Sequence, residues 1–258
     1  MAWWRAQCPV RPVEQSWIER ELGWFVGQFG GGRLRGVVVL PNDDFFPGVY
    51  QGSRDDVAAV LQRICIHMGV DASRILLVHD EDDDDPGLSA HVPVHSQSTG
   101  AAGHYRERDG RAVIGIRDDL AKRPVALVAT IAHELGHVLL LGDKRVDPGR
   151  EDHEPLTDLL TVFFGLGIFT ANAAFEYSRE ERGRHTYGRA SRLGYLTEPM
   201  YGYALARYAW LRGEDGGAWS RYLDTNPRAF FKRGLRYLRD QDRRRPHVIT
   251  GVSLAPDS

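Results

Sequence analysis

The stretch TIAHELGHVLLLG, residues 130–142, sets two histidines four residues apart around a glutamate in an otherwise apolar run. His133, Glu134 and His137 fit the pattern H-E-x-x-H. On a helix, residues four apart stand one turn above each other, so both imidazoles project from one face toward a common point. Zinc requires that arrangement: neutral ring nitrogens about 2 Å from the ion, with further ligands supplied from elsewhere in the chain. Glu134 is set slightly round the helix, beside such an ion rather than on it, where a carboxylate can take a proton from a metal-activated water. The chemistry expected is zinc-assisted hydrolysis, with His133 and His137 as metal ligands, Glu134 as general base and Zn2+ as cofactor.

A third ligand decides the class. Asp143 stands where the longer pattern H-E-x-x-H-x-x-G-x-x-H carries its last residue, but position 140, where that pattern turns on glycine, is Leu140. The helix then runs on to Gly142 and carries Asp143 away from the ion. Glu151 and His153 lie in the following loop and stand as alternatives. Glu154 is better placed. It opens a second helix and is followed by Asp158, an E-x-x-x-D spacing. One turn apart on one face, Glu154 can bind the ion while Asp158 accepts the N–H of a ligand histidine, His133 foremost, and so fixes its tautomer. Hydrolysis also needs a donor for the oxyanion that develops on the attacked carbonyl. The segment downstream is rich in tyrosine, and Tyr201 and Tyr203, at the start of a helix, are the first choice ahead of Tyr187, Tyr195 and His185.

AHELGH followed by EPLTD resembles the gluzincin branch of zinc metallopeptidases, which pair H-E-x-x-H with a downstream E-x-x-x-D, as thermolysin-like and CAAX-processing peptidases do. The resemblance spans about residues 111–164 and rests on the motif residues. It implies a zincin-like fold acting on peptide or protein substrates, with His133, His137 and Glu154 as ligands, Glu134 as base and Asp158 supporting a ligand from behind. The chain departs from the pattern in the tight connection of sixteen residues between His137 and Glu154, and in having no counterpart of the membrane helices of the CAAX-processing relatives.

The elements that must position these residues follow from periodicity. Residues 13–29 read as a helix, with Trp17, Ile18, Leu22, Phe25 and Val26 at helical spacing. The glycine-rich GQFGGGRLRG has no Gly-Lys-Ser/Thr and reads as a flexible turn, not a phosphate loop. GVVVL, residues 36–40, reads as a short buried strand. Ser53 and Asp56 form a capping-box pattern for a helix that closes at Gly69. Residues 74–79 read as a second strand, completing a strand–helix–strand start. The acidic run DEDDDDPG, residues 80–87, and residues 91–103 read as exposed loops. Residues 105–117 read as a hairpin turning at Asp109-Gly110. Its second arm, RAVIGIR, is expected either as an edge strand on which an extended peptide pairs beside Val113 and Gly115, or as a plain core strand.

From Pro124 a helix runs to Leu141 and stops at Gly142, and a second begins near Glu154-Pro155. The uncharged LLTVFFGLGIFTANAAF, residues 159–175, is shorter than the ~20 residues a bilayer needs and reads as a buried core helix. After residue 177 the chain turns polar and basic, and two helices, about 200–212 and 227–240, close it before a frayed tail.

Length and composition set the outer bounds. The 258 residues with 42% hydrophobic content suffice for a full core. They are read as an N-terminal α/β lobe over 1–100, packed on or continuous with a core over 101–258, or as one domain throughout. The fold class expected is α+β: a zincin-like domain with a small mixed sheet, an active-site helix and a mostly helical C-terminal half. A net charge of −2 gives no global attraction to nucleic acid or anionic lipid. The basic C-terminal stretch around Lys232, Arg233 and Arg236 reads as a solvated helix face rather than a nucleic-acid contact. Two cysteines without a Cys-x-x-Cys spacing suggest neither a disulfide framework nor a thiolate metal site. No secretory signal is evident at the N-terminus, so a soluble, cytoplasmic protein is expected. The leading expectation is a zinc metallopeptidase. A catalytically idle, metal-stabilised binding or regulatory module, or a peptidase recruited to nucleic acid, stand as alternatives.

Overall fold

Ile18, Leu22 and Phe25 recur on one face of α1 (Pro12–Phe29) and are fully buried, which fixes that helix on the core. Pro12 opens it at the first turn, where its missing N–H costs nothing, and the Glu14 carboxylate accepts the Arg11 amide N–H at 2.9 Å. The computed structural model describes residues 5–79, 107–174 and 196–244. A single helical turn, α2 (Gly31–Leu34), follows inside the glycine run that the sequence suggested was a loop. In α3 (Arg54–Met68) the expected capping box is present: Asp56 N–H donates to Ser53 Oγ at 3.2 Å and Ser53 N–H donates to the Asp56 carboxylate at 3.0 Å.

The sheet has three strands in the order β1-β3-β2. β1 (Ile75–His79) runs parallel to β3 (Arg111–Ile116), Ile75 facing Ala112 through His79 facing Ile116. β2 (Glu107–Arg108) turns back onto β3 through Asp109 and Gly110, both at positive φ, the primed turn that matches strand twist. β3 alternates, with Ala112, Ile114 and Ile116 buried. It is the middle strand of the three rather than an outer one, with β1 paired along Ala112 to Ile116. On its other side the described β2 reaches only Arg111 and Ala112.

The remainder is helical: α4 (Asp118–Ala121), α5 (Pro124–His137), α6 (His153–Phe163), α7 (residues 167–174), α8 (Glu198–Leu211) and α9 (Thr225–Arg244). The class is α+β, a mainly helical chain with one small mixed sheet. α5 does not end at His137. It continues as a wider π turn over Val138–Gly142, where the Asp143 N–H reaches back five residues to the Val138 carbonyl at 2.9 Å. The span Pro124–Gly142 is long and apolar enough to cross a membrane, and 83% of its most apolar window is buried inside the protein. One apolar core contains side chains from Val10 to Leu238, so α1 and α3 share it with α5, α6, α8 and α9.

Two expectations need correction. GVVVL is not assigned as a strand: it lies beside the turn after α6, with Val39 N–H donating to the Gly165 carbonyl at 2.9 Å and no ladder to any strand among the described residues. A short apolar run is equally satisfied by burial against a loop, and periodicity cannot tell the two apart. Residues 159–174 are not one helix but two. Gly165 sits at φ +81 between α6 and α7, and a Cβ there would stand 2.6 Å from the Val37 carbonyl oxygen. The acidic run at 80–87, the loop at 91–103, the start of the hairpin, the basic segment after 177 and the C-terminal tail lie outside the described residues.

Candidate metal centre

α5 brings His133 and His137 to one face and α6 brings Glu154, Thr157 and Asp158 to meet them. What allows the two helices so close is Gly136. A Cβ on it would stand 2.7 Å from Thr157 Cγ2, closer than packed carbons approach, so only glycine lets α6 rest on α5 at that level. The short link between the helices is tied down at both ends. Asp143 accepts from Arg74 at 2.8 Å, and Asp152 takes the Trp17 indole N–H at 2.6 Å while its other contacts come from Arg150. Arg150 and Trp17 together hold the Asp152 carboxyl down at about 2, against the opposing effect of burial. Arg150 also reaches Glu21 of α1 at 3.2 Å.

His133 Nε2 lies 3.0 Å from His137 Nε2 and 3.0 Å from Glu154 Oε2, and His137 Nε2 lies 3.5 Å from the same oxygen. The ligand atoms of a tetrahedral zinc site with bonds of about 2.0 Å stand roughly 3.3 Å apart. The three edges of this triangle fall within a few tenths of an ångström of that value. Among the described residues, the group able to hold a metal ion consists of His133, His137 and Glu154.

The outer contacts show which face of each ring is turned inward. Thr157 Oγ donates its proton to the His153 carbonyl at 2.8 Å, so toward His137 Nδ1, 3.3 Å away, it has only a lone pair to offer. His137 must therefore carry its proton on Nδ1 and present Nε2 as an acceptor. His133 Nδ1 donates to Asp158 Oδ1 at 2.9 Å, and Asp158 Oδ2 accepts the Leu196 amide at 3.0 Å. Both oxygens of Asp158 are thereby used as acceptors, which suits an ionised carboxylate. Two inward-facing nitrogen lone pairs and a carboxylate oxygen around one point repel each other unless a positive charge lies between them. This donor set fits zinc.

The titration behaviour of the metal-free cluster says the same, with a proton standing in for the ion. Burial works to lower the His133 pKa, but the hydrogen bonds its ring donates to Asp158 and Glu154 outweigh it and raise the pKa well above the ordinary value. Burial likewise opposes ionisation of Glu154, yet the two imidazoles hold its carboxyl far below the usual range. Glu134 differs: desolvation raises its pKa, with His137 and His133 pulling the other way. A carboxylate pushed toward holding a proton, beside a cluster that attracts a cation, is suited to accepting and returning one.

The other sequence candidates are placed as follows. Asp143 is engaged by Arg74 and Arg145 and does not join the cluster, and Glu151 is exposed. His153 is buried, its ring centroid 5.9 Å from that of His137. Tyr203 is buried in α8 and donates its hydroxyl to Glu19 of α1 at 2.5 Å, while burial raises its pKa. That bond ties α8 to α1. Tyr201 is also buried in α8. Tyr187, Tyr195 and His185 lie outside the described residues. Sequence reasoning missed Thr157, Gly136 and the Leu196 amide. Gly136 and Thr157 fall at x positions, unconstrained in H-E-x-x-H and E-x-x-x-D, and only the juxtaposition of α5 and α6 gives them a role; Leu196 lies outside both motifs and meets Asp158 only in the fold.

Comparison of the chain with protein-family models, with curated proteins and with solved structures finds no match.

Proposed function

We propose that this protein is a zincin-like metallopeptidase, a zinc-dependent hydrolase of peptide bonds. The observation that carries the reading is the triangle of His133 Nε2, His137 Nε2 and Glu154 Oε2, with edges of 3.0, 3.0 and 3.5 Å. When bound there, zinc supplies a Lewis acid and a water of lowered pKa. Each of the chain's own groups then has a stated task. Asp158 and Thr157 hold the two imidazoles in the tautomers that face the ion. Glu134 accepts the proton of the attacking water and returns it to the leaving amine. Three protein ligands among the described residues, rather than four, favour hydrolysis over a purely structural site, which zinc closes with four. Glu134 supports the same choice, since a structural site has no use for an unligated carboxylate beside it.

The test is Glu134→Gln. The variant is expected to retain one zinc per chain by elemental analysis and to lose at least about 100-fold in turnover of an unstructured protein substrate such as casein, the scale of general-base catalysis. Undiminished turnover removes Glu134 from the role. Stoichiometric zinc with no cleavage by the unmodified protein favours the idle, metal-stabilised module instead.

A further inference from the structure

His153 opens α6 immediately before Glu154 and is only 5% exposed, yet its Nδ1 is buried with no hydrogen-bond partner among the described residues. A buried polar atom left unsatisfied is unfavourable and uncommon, so it points to a partner that arrives in another state. Glu154 Oε1 stands 3.6 Å from that nitrogen, just outside hydrogen-bond reach. The two oxygens of Glu154 are therefore not equivalent. Oε2 faces the inward nitrogens of His133 and His137, and Oε1 faces His153.

We propose that His153 is a positioning residue for Glu154: with an ion held by Oε2 and the two imidazoles, its Nδ1–H donates to Oε1 and restricts Glu154 to binding through one oxygen. The inference rests on the zinc reading above and deepens it. A carboxylate free to bring both oxygens onto the ion fills the coordination position that hydrolysis needs open. Engaging Oε1 from behind keeps that position for water and substrate. Outer hydrogen bonds to ligating carboxylates serve this orienting purpose in metal sites generally. The displacement required is a few tenths of an ångström, between one side chain and the next in the first turn of the same helix.

Cobalt(II) in place of zinc reports coordination geometry through its visible absorption, intense for four ligands and weak when a further oxygen binds. Asparagine at 153 sets an amide N–H where Nδ1 now stands, whereas glutamine sets it farther out, at the position of Nε2. The unmodified protein and His153→Asn are expected to bind one cobalt per chain with the intense four-coordinate band. His153→Gln is expected to lose that band, and its zinc affinity in chelator competition is expected to fall about 10-fold. Indistinguishable spectra and affinities for the asparagine and glutamine variants overturn the proposal, as does a weak, higher-coordinate spectrum in the unmodified protein. Failure of the unmodified protein to bind one ion per chain overturns instead the zinc reading beneath it, so the two failures are told apart.

Discussion

The hydroxyl of Thr157 has one proton, and the His153 carbonyl takes it, so the orientation of His137 depends on a lone pair. Thr157→Val keeps the shape and removes the acceptor. Zinc affinity in chelator competition is expected to fall about 10-fold, as for other outer-shell partners; an unchanged affinity means that His137 is oriented by packing alone. His133 and Glu154 give a pH dependence whose sign can be worked out. Metal-free, His133 has a folded pKa above its unfolded value of about 6.5, so its charge stabilises the fold fully below that value and the contribution is lost as pH rises through the folded pKa. Glu154 has a depressed folded pKa, so its contribution is present above about 4.3 and is lost as pH falls through the depressed value. On the reading proposed above, zinc would take the place of the proton on His133. The rise in melting temperature that zinc produces is therefore expected to grow from about pH 5.5 to 8, measured against chelator-treated protein; a rise independent of pH places the ion elsewhere. The candidate pair His133 and His137 was legible in the sequence because four-residue spacing fixes a helical face whatever the surroundings. Thr157 was not, because its bond to His137 exists only once two helices lie against each other.

At the level of elements, the contact of α5 with α6 is set by Gly136. Gly136→Ala puts a Cβ 2.7 Å from Thr157 Cγ2 and must move one helix. An overpacked core contact of this kind costs about 1–3 kcal/mol, readable in denaturant unfolding, with a parallel loss of bound zinc because the triangle opens. Thr157→Ser removes the offending methyl and retains the hydroxyl, so the double variant is expected to recover most of both losses. Additive losses instead would place the strain at another contact. Helix boundaries were largely readable beforehand: the capping pair Ser53 and Asp56, Pro12 and Pro124 at first turns, and Asp109-Gly110 as a hairpin turn all act locally. GVVVL and the run from Leu159 were misread for one shared reason. The first lies against Gly165, whose positive φ breaks the second in two. Each segment is explained by the other, the contact joining Val39 to Gly165, 126 residues apart in sequence (165 − 39), and neither carries a local mark of the meeting.

Across the molecule, one apolar core joins the N-terminal helices to the motif helices, and α1 reaches the site's surroundings through Trp17 on Asp152 and Glu21 on Arg150. The Asp158 carboxylate has a second consequence at this scale. It accepts the His133 ring N–H with one oxygen and the Leu196 amide with the other, so a backbone hydrogen is joined to the His133 imidazole through two hydrogen bonds. Deuterium uptake at the peptide containing Leu196 is expected to slow when zinc is added and to quicken under chelation, and an Asp158→Asn variant is expected to flatten that response. If zinc binds as proposed, the Leu196 amide hydrogen at the entrance to α8 becomes an occupancy gauge, its exchange lifetime recording whether the ion is in place.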